Sequence, residues 1–228
     1  MFTKNDSLKL LFIGNSATYV NDLPGTLCRL ASEAGYCIEA ESVVRGGYTL
    51  TQHADRDSEH GRRVTCEIAK GYDVVFLQDN GNCISSDEKR RATVDACDRL
   101  AAEIRAAGSL PYIYVRPPYG IENFGFSPFE QCAEFDLLFG EIAERIGAVN
   151  ACVNRAFARA IKKTDFDLWG PDHAHTGERG AYLAVCVFFS TLFGVSSRVL
   201  GTNGLPDDEA EILRSIADEI VLDGVIPW

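Results

Sequence analysis

Short apolar runs and longer amphipathic stretches alternate along the whole chain. Leu8–Ile13 is an unbroken strand-like run apart from Lys9, and it ends in the turn signal Gly14-Asn15-Ser16. Pro24 then opens a helical pattern through Leu27, Leu30, Ala31 and Ala34, which Gly35 ends. Cys37–Val44 reads as a second strand closed by Gly46-Gly47, and Val64–Lys70 as the end of a helix. Asp73–Leu77 is the clearest buried strand, and Asp87–Ala107 predicts a long helix with Gly108 as its C-cap.

The second half continues in the same way. Tyr112–Val115 is a strand stopped by Pro117-Pro118, and Pro128–Ile146 is a helix capped by Gly147. Val149–Val153 predicts a fifth strand and Asn154–Lys163 a helix. A loop, Thr164–Gly177, leads into a buried helix over Glu178–Phe193. Pro206–Leu222 closes the chain as an amphipathic helix with Ile212, Leu213, Ile216 and Ile220 on its apolar face. Short apolar strands alternating with helices of ten or more residues imply a parallel sheet covered on both faces. With no internal repeat and no linker-like composition, residues 1–228 read as one domain. In open sheets of this kind the active loops lie at the carboxyl ends of the strands. That rule points to Asn15-Ser16, Gly46-Gly47, Gln78–Asn82, Arg116–Tyr119 and the Thr164–Gly177 loop.

Composition narrows the choice of partner. Hydrophobic residues make up 46% and charged residues 24%, ordinary values that exclude a disordered or fibrous chain. The net charge of −11 argues against nucleic acid and against an anionic membrane surface, since both need clustered positive charge. Neither a secretory signal nor a membrane span is expected: the uncharged part of 180–197 is broken by Gly194 and is too short to cross a bilayer. The eight cysteines contain no C-x-x-C pair, so neither a disulfide framework nor a zinc site is expected, and the cytoplasm is the expected compartment.

The strand-end loops hold the candidate chemistry. A serine on the Gly14-Asn15-Ser16 turn presents its hydroxyl beside backbone N–H groups, which suits a nucleophile. Taken alone, the same turn reads first as an N-cap serine, and also as a phosphate cradle in which Ser16, Thr18 and the turn amides hold an anion. Asp172-His173-Ala174-His175 supplies a base and a carboxylate from one loop. Gly47 and the amide side chains of Gln78-Asp79-Asn80-Gly81-Asn82 are possible oxyanion donors, although glycine and asparagine are also ordinary turn formers. His53 and His60 lie in the charged stretch HADRDSEHGRR and are expected at the surface.

Taken together and in order, LFIGNSATY, RGGYT, VVFLQDN and DHAH followed by GERGAYLA resemble the sequence blocks of the SGNH hydrolases, also called GDSL esterases. The resemblance runs from Leu10 to about Phe193 and is closest to a branch with the GNS form, a Leu-Gln pair after strand three and a tail containing LFG. It implies a flavodoxin-like three-layer α/β/α sandwich around a five-stranded parallel sheet. It also implies Ser16 as nucleophile, His175 as general base and Asp172 as its orienter. The Ser16 and Gly47 amides and the Asn80 side chain would form the oxyanion hole. Asn15 stands where the family often has Asp, and Gln-Asp-Asn-Gly-Asn replaces the usual Gly-x-Asn-Asp. Asn80 keeps the usual distance from the strand and is placed ahead of Asn82.

The function this implies is serine ester hydrolysis through an acyl-enzyme, with no metal and no organic cofactor. The expected partner is a small-molecule ester, with acetyl on a carbohydrate as the favoured substrate class. Tyr19, Tyr48, Arg116 and Trp169 are candidate pocket residues. Two rivals remain at this point: a non-catalytic flavodoxin-like module that binds a ligand at the Gly14–Thr18 turn, and a degenerate, inactive hydrolase.

Overall fold

The computed structural model describes residues 2–228. Five strands, β1 (Ser7–Gly14), β2 (Cys37–Val44), β3 (Val74–Leu77), β4 (Leu110–Val115) and β5 (Val149–Cys152), form one parallel sheet in the order β2-β1-β3-β4-β5. The register sets Ser7 beside Cys37, Leu10 beside Val74, Val74 beside Leu110 and Tyr112 beside Val149. The sheet is the flavodoxin-like one that the sequence implied. Its strand order reverses at β1, so the loops after β1 and β3 flank the crevice where such sheets place their ligands.

Nine α-helices accompany the strands among the described residues. They are α1 (Ser16–Tyr19), α2 (Leu23–Glu33), α3 (Leu50–His53), α4 (Glu59–Ile68), α5 (Asp87–Ala106), α6 (Pro128–Ile146), α7 (Val153–Lys163), α8 (Glu178–Phe193) and α9 (Asp207–Val221). Side chains alternate along each strand, so the sheet feeds two cores. Leu8, Leu10, Phe12, Val74, Phe76, Tyr112 and Tyr114 pack with α2, α7, α8 and α9 on one face. Leu11, Ile13, Val75, Leu77, Ile113 and Val115 pack with α3, α4, α5 and α6 on the other. Phe188 of α8 is central to the first core, 4.8 Å from the Tyr114 ring, 5.5 Å from Phe76 and 5.9 Å from Phe12. Truncating an aromatic side chain at such a position typically costs about 3–5 kcal/mol.

Local chemistry sets the helix ends. Ser127 and Glu130 close a capping box at the start of α6, Pro128 occupies the first turn, and Gly147 ends the helix at φ +56°. Helix α8 is buried from Gly180 to Phe193 and stops at Gly194, at φ +65°. Among the described residues no helix is long and apolar enough to cross a membrane. Helix α9 departs from its expected face: Leu213, Ile216 and Ile220 are buried, but Ile212 is 40% exposed. The buried stripe runs instead through Ala210, Leu213, Ile216, Ala217 and Ile220, and Ile212 lies one helical step outside it.

Candidate active site

The loops that follow β1, β2 and β3 are stitched together by amide side chains. Asn15, not Ser16, caps α1: its Oδ1 accepts from Ala17 N at 3.0 Å, which leaves the Ser16 hydroxyl free of a capping role. Asn15 Nδ2 donates to Tyr48 O at 2.8 Å, so the first loop holds the second. Asn15 N and Thr18 Oγ1 both donate to the buried Gln78 Oε1, each at 2.9 Å, tying the first loop to the third. This arrangement explains Gly14. A Cβ there would stand 2.6 Å from Gln78 Oε1 and 2.6 Å from Thr18 Oγ1.

Donors collect where these loops meet. Asn80 Nδ2 donates to Gly47 O at 3.0 Å while its Oδ1 accepts from Asn82 N at 3.1 Å. A primary amide carries two N–H groups, so Asn80 keeps one for another acceptor. Among the described residues neither the Ser16 N–H nor the Gly47 N–H has an acceptor within the protein. Gly47 is required for its conformation, at φ +73°, and a Cβ there would touch nothing. Asp79 supports the group from below. Its buried carboxylate accepts from Leu50 N at 2.8 Å, Asn80 N at 2.7 Å and Thr93 Oγ1 at 2.7 Å, while burial pushes its carboxyl up against these bonds.

The last loop contributes an oriented imidazole. His175 Nδ1 lies 2.6 Å from Asp172 Oδ2, and Asp172 Oδ1 accepts from the Ala174 and His175 amides, both at 3.0 Å. These bonds, with the His175 imidazole first, hold the Asp172 carboxyl well below the usual carboxylate range. A carboxylate only accepts, so Nδ1 carries hydrogen, and in the neutral ring Nε2 presents a lone pair. The neighbouring His173 is exposed at φ +52°, and its carbonyl accepts from Gly120 N at 2.7 Å. Asn21 Nδ2 donates to Thr176 O at 2.6 Å, binding the loop to the turn after α1. Among the described residues no hydrogen bond joins Ser16 Oγ to His175.

The candidate pocket residues separate. Tyr19 is 46% exposed, and a Cβ on Gly46 would come 3.0 Å from its hydroxyl, so it borders the Gly46-Gly47 loop. Tyr48 packs edge-on against His53 and His60. Arg116 is buried: it lies 4.2 Å from the Tyr119 ring centre and donates to Pro117 O and Ala174 O. It braces the last loop. Trp169 donates to Pro118 O at 2.9 Å and lines a groove of about 420 Å³ with Gly120, Pro128, Phe129 and Phe166.

His53 and His60 are not at the surface in the way their charged surroundings suggest. His53 is fully buried, its Nε2 3.0 Å from Gly14 O and its Nδ1 2.9 Å from His60 Nε2. His60 is half-buried beside it. The sequence carried a signal for this. Thr49-Leu50-Thr51-Gln52 is a capping-box pattern, and both of its reciprocal bonds form at the start of α3. A helix beginning at Leu50 places His53 one turn on, on the same buried side.

No family model and no curated protein matches the chain. Solved structures do. A protein provisionally assigned as an SGNH hydrolase from Slackia heliotrinireducens superposes with a TM-score of 0.70 at 24% identity, covering 82% of this chain and 100% of that one. A DUF4886 family protein from Bacteroides uniformis gives 0.80 at 16% identity, covering 95% of each chain. The acetylxylan esterase Axe2 from Geobacillus stearothermophilus gives 0.63 at 19% identity, covering 84% of this chain and 96% of that one. The order of the sheet, its two layers of helices and these likenesses agree: the chain has the SGNH hydrolase fold.

Proposed function

We propose that the protein is a serine ester hydrolase formed by residues 1–228 as one domain. The observation that carries this reading is the Asp172–His175 pair. In the neutral ring it leaves a lone pair on Nε2, in a loop bonded through Thr176 to Asn21 in the turn after α1, the helix that Ser16 begins. In the proposed cycle Ser16 Oγ attacks the ester carbonyl while His175 takes its proton. The tetrahedral oxyanion is met by the Ser16 and Gly47 amides and the spare N–H of Asn80, all donors without another acceptor. His175 then protonates the leaving alcohol, and water releases the acid from Ser16.

The proposed substrate is a small acyl ester, acetyl on a carbohydrate in the first instance. The likeness to Axe2 supports this choice, as do the aromatic side chains of Tyr19, at the end of α1 beside the Gly46-Gly47 loop, and of Trp169, on the last loop. All eight cysteines are free thiols, which suits a cytoplasmic location. A fluorophosphonate probe followed by peptide mapping tests the mechanism. Labelling at Ser16, with labelling and short-chain ester turnover both lost in Ser16→Ala, is the expected result. Turnover retained in Ser16→Ala would remove the serine mechanism.

A further inference from the structure

The peptide between Gly14 and Asn15, one residue before Ser16, is held on both edges by buried side chains. Its N–H donates to Gln78 Oε1 at 2.9 Å. Its carbonyl accepts from Arg45 N at 3.1 Å, continuing the β1–β2 ladder, and also contacts His53 Nε2 at 3.0 Å. A carbonyl accepts and never donates, so His53 Nε2 must carry hydrogen, and in the neutral ring Nδ1 is then a lone pair. That lone pair faces His60 Nε2 at 2.9 Å, which therefore supplies the hydrogen of the second bond. The two bonds fix both tautomers in series, from a half-buried ring inward to the backbone of the Ser16 turn.

Two elements around His53 also touch the site. Helix α3, which ends at His53, is pinned at its first residue by Asp79, the carboxylate that also holds Asn80 N. The Tyr48 ring packs edge-on to His53 at 5.6 Å and to His60 at 4.9 Å, while the Tyr48 carbonyl accepts from Asn15 Nδ2. Burial, with the neighbouring His60 imidazole, pushes His53 down to about 4, against the opposing bond to Gly14 O. Burial and the Arg45 and Arg63 guanidiniums also lower His60. With its pKa lowered by burial and by His60, the His53 ring is neutral through the range in which a serine esterase works.

We propose that His53, set in its tautomer by His60, is a positioning residue for Ser16. It is a neutral Nε2–H donor that fixes the Gly14–Asn15 peptide and with it the direction of the Ser16 hydroxyl and amide. This rests on the reading of Ser16 as nucleophile. His53 touches neither substrate nor reacting atoms and acts through the backbone. A residue that merely filled space there would be replaceable by any side chain of similar volume, whereas a positioning donor is replaceable only by another donor.

The test compares His53→Gln, whose amide N–H reaches close to the Nε2–H position, with His53→Leu, which fills the space without a donor. His53→Leu should lower kcat by ~10²-fold, the scale of a misplacement of about 1 Å, with KM little changed. His53→Gln should stay within about fivefold of wild type in kcat. Equal kcat in the two variants would overturn the proposal. Two NMR measurements decide it without reference to turnover. On the wild-type protein, the His53 ring nitrogens should report a neutral Nε2–H tautomer from pH 5 to 8; an Nδ1–H tautomer or a cation at pH 6 overturns the proposal even if His53→Leu fails to fold. In folded His53→Leu, the Asn15 and Ser16 amide shifts should move, and unchanged shifts overturn the clamp. If wild type neither turns over esters nor reacts with the fluorophosphonate, the reading of Ser16 fails by itself, and these NMR results still decide the clamp.

Discussion

Acid should weaken this fold through one buried imidazole. Folded His53 is pushed down to about 4 by burial and by His60, while the unfolded chain takes up the same proton near the ordinary imidazole value of ~6.5. Between those values the unfolded state binds more protons than the folded one, so stability falls as the pH falls through that window. The contribution is fully present above about pH 6.5 and fully lost below about pH 4. At ~1.4 kcal/mol per pH unit, the whole window is worth roughly 3 kcal/mol, a large part of a typical domain's stability of about 5–15 kcal/mol. His60 is lowered too and adds in the same direction, whereas Asp79, raised by burial, gains stability as the pH falls and offsets part of the loss. The measurement must therefore be a difference. Urea unfolding at pH 7 and pH 4.5 should show wild type losing roughly 2 kcal/mol more than His53→Gln, which has nothing to titrate at that position. Parallel losses in the two proteins would mean that His53 is not held neutral by the fold, and the reasoning would fail.

The fold was legible because its signals are local. A parallel strand buried on both faces needs an apolar run, and Val74–Leu77 supplies one. Ser127-Pro128 and Gly147 bound α6, and Gly194 bounds α8, by backbone chemistry readable at single positions. The Asp172–His175 turn was legible for the same reason, since three residues suffice to close it. The misses were tertiary. His53 is inside because Gly14 O, 39 residues earlier, accepts from it, and no pattern within HADRDSEHGRR reports a partner at that separation. The helix cap at Asn15 was hidden because serine and asparagine cap equally well, and only the bond from Ala17 N distinguishes them. Arg116 was expected to border a pocket on the strength of its loop. Its stacking under Tyr119 and its bond to Ala174 O, contributed from a different part of the chain, instead draw it inward. Asn21 gave no sequence sign of its bond to Thr176, made 155 residues away.

Three further predictions follow from the site. Asn80→Ala should lower kcat by ~10²-fold or more, the usual cost of losing one oxyanion donor. Asn82→Ala should do less, because Asn82 contributes a backbone N–H to Asn80 that the substitution keeps; the reverse ranking in steady-state kinetics would mean the donor has been misassigned. Gly180→Ala should lower the melting temperature, since its Cβ would stand 2.1 Å from Leu168 O and 2.8 Å from Phe157 Cζ, and overpacking of this kind costs about 1–3 kcal/mol. An unchanged melting temperature would show that α8 and the last loop are not packed as described. The two histidines of that loop provide the third. His175 is bonded through Nδ1 to Asp172 Oδ2 at 2.6 Å, so its Nε2 lone pair is oriented, whereas His173 is exposed and ties the loop to Gly120 only through its backbone carbonyl. His175→Ala should therefore reduce kcat by at least ~10³-fold, the scale of losing a triad member. His173→Ala keeps the carbonyl bond and should stay within about tenfold, through small shifts of the loop. Asp172 is held ionised well below the usual carboxylate range, so mild acid leaves the orienter in place. If His173→Ala is the inactive variant and His175→Ala the active one, the base has been assigned to the wrong ring, and the bond to Asp172 is then a loop closure alone.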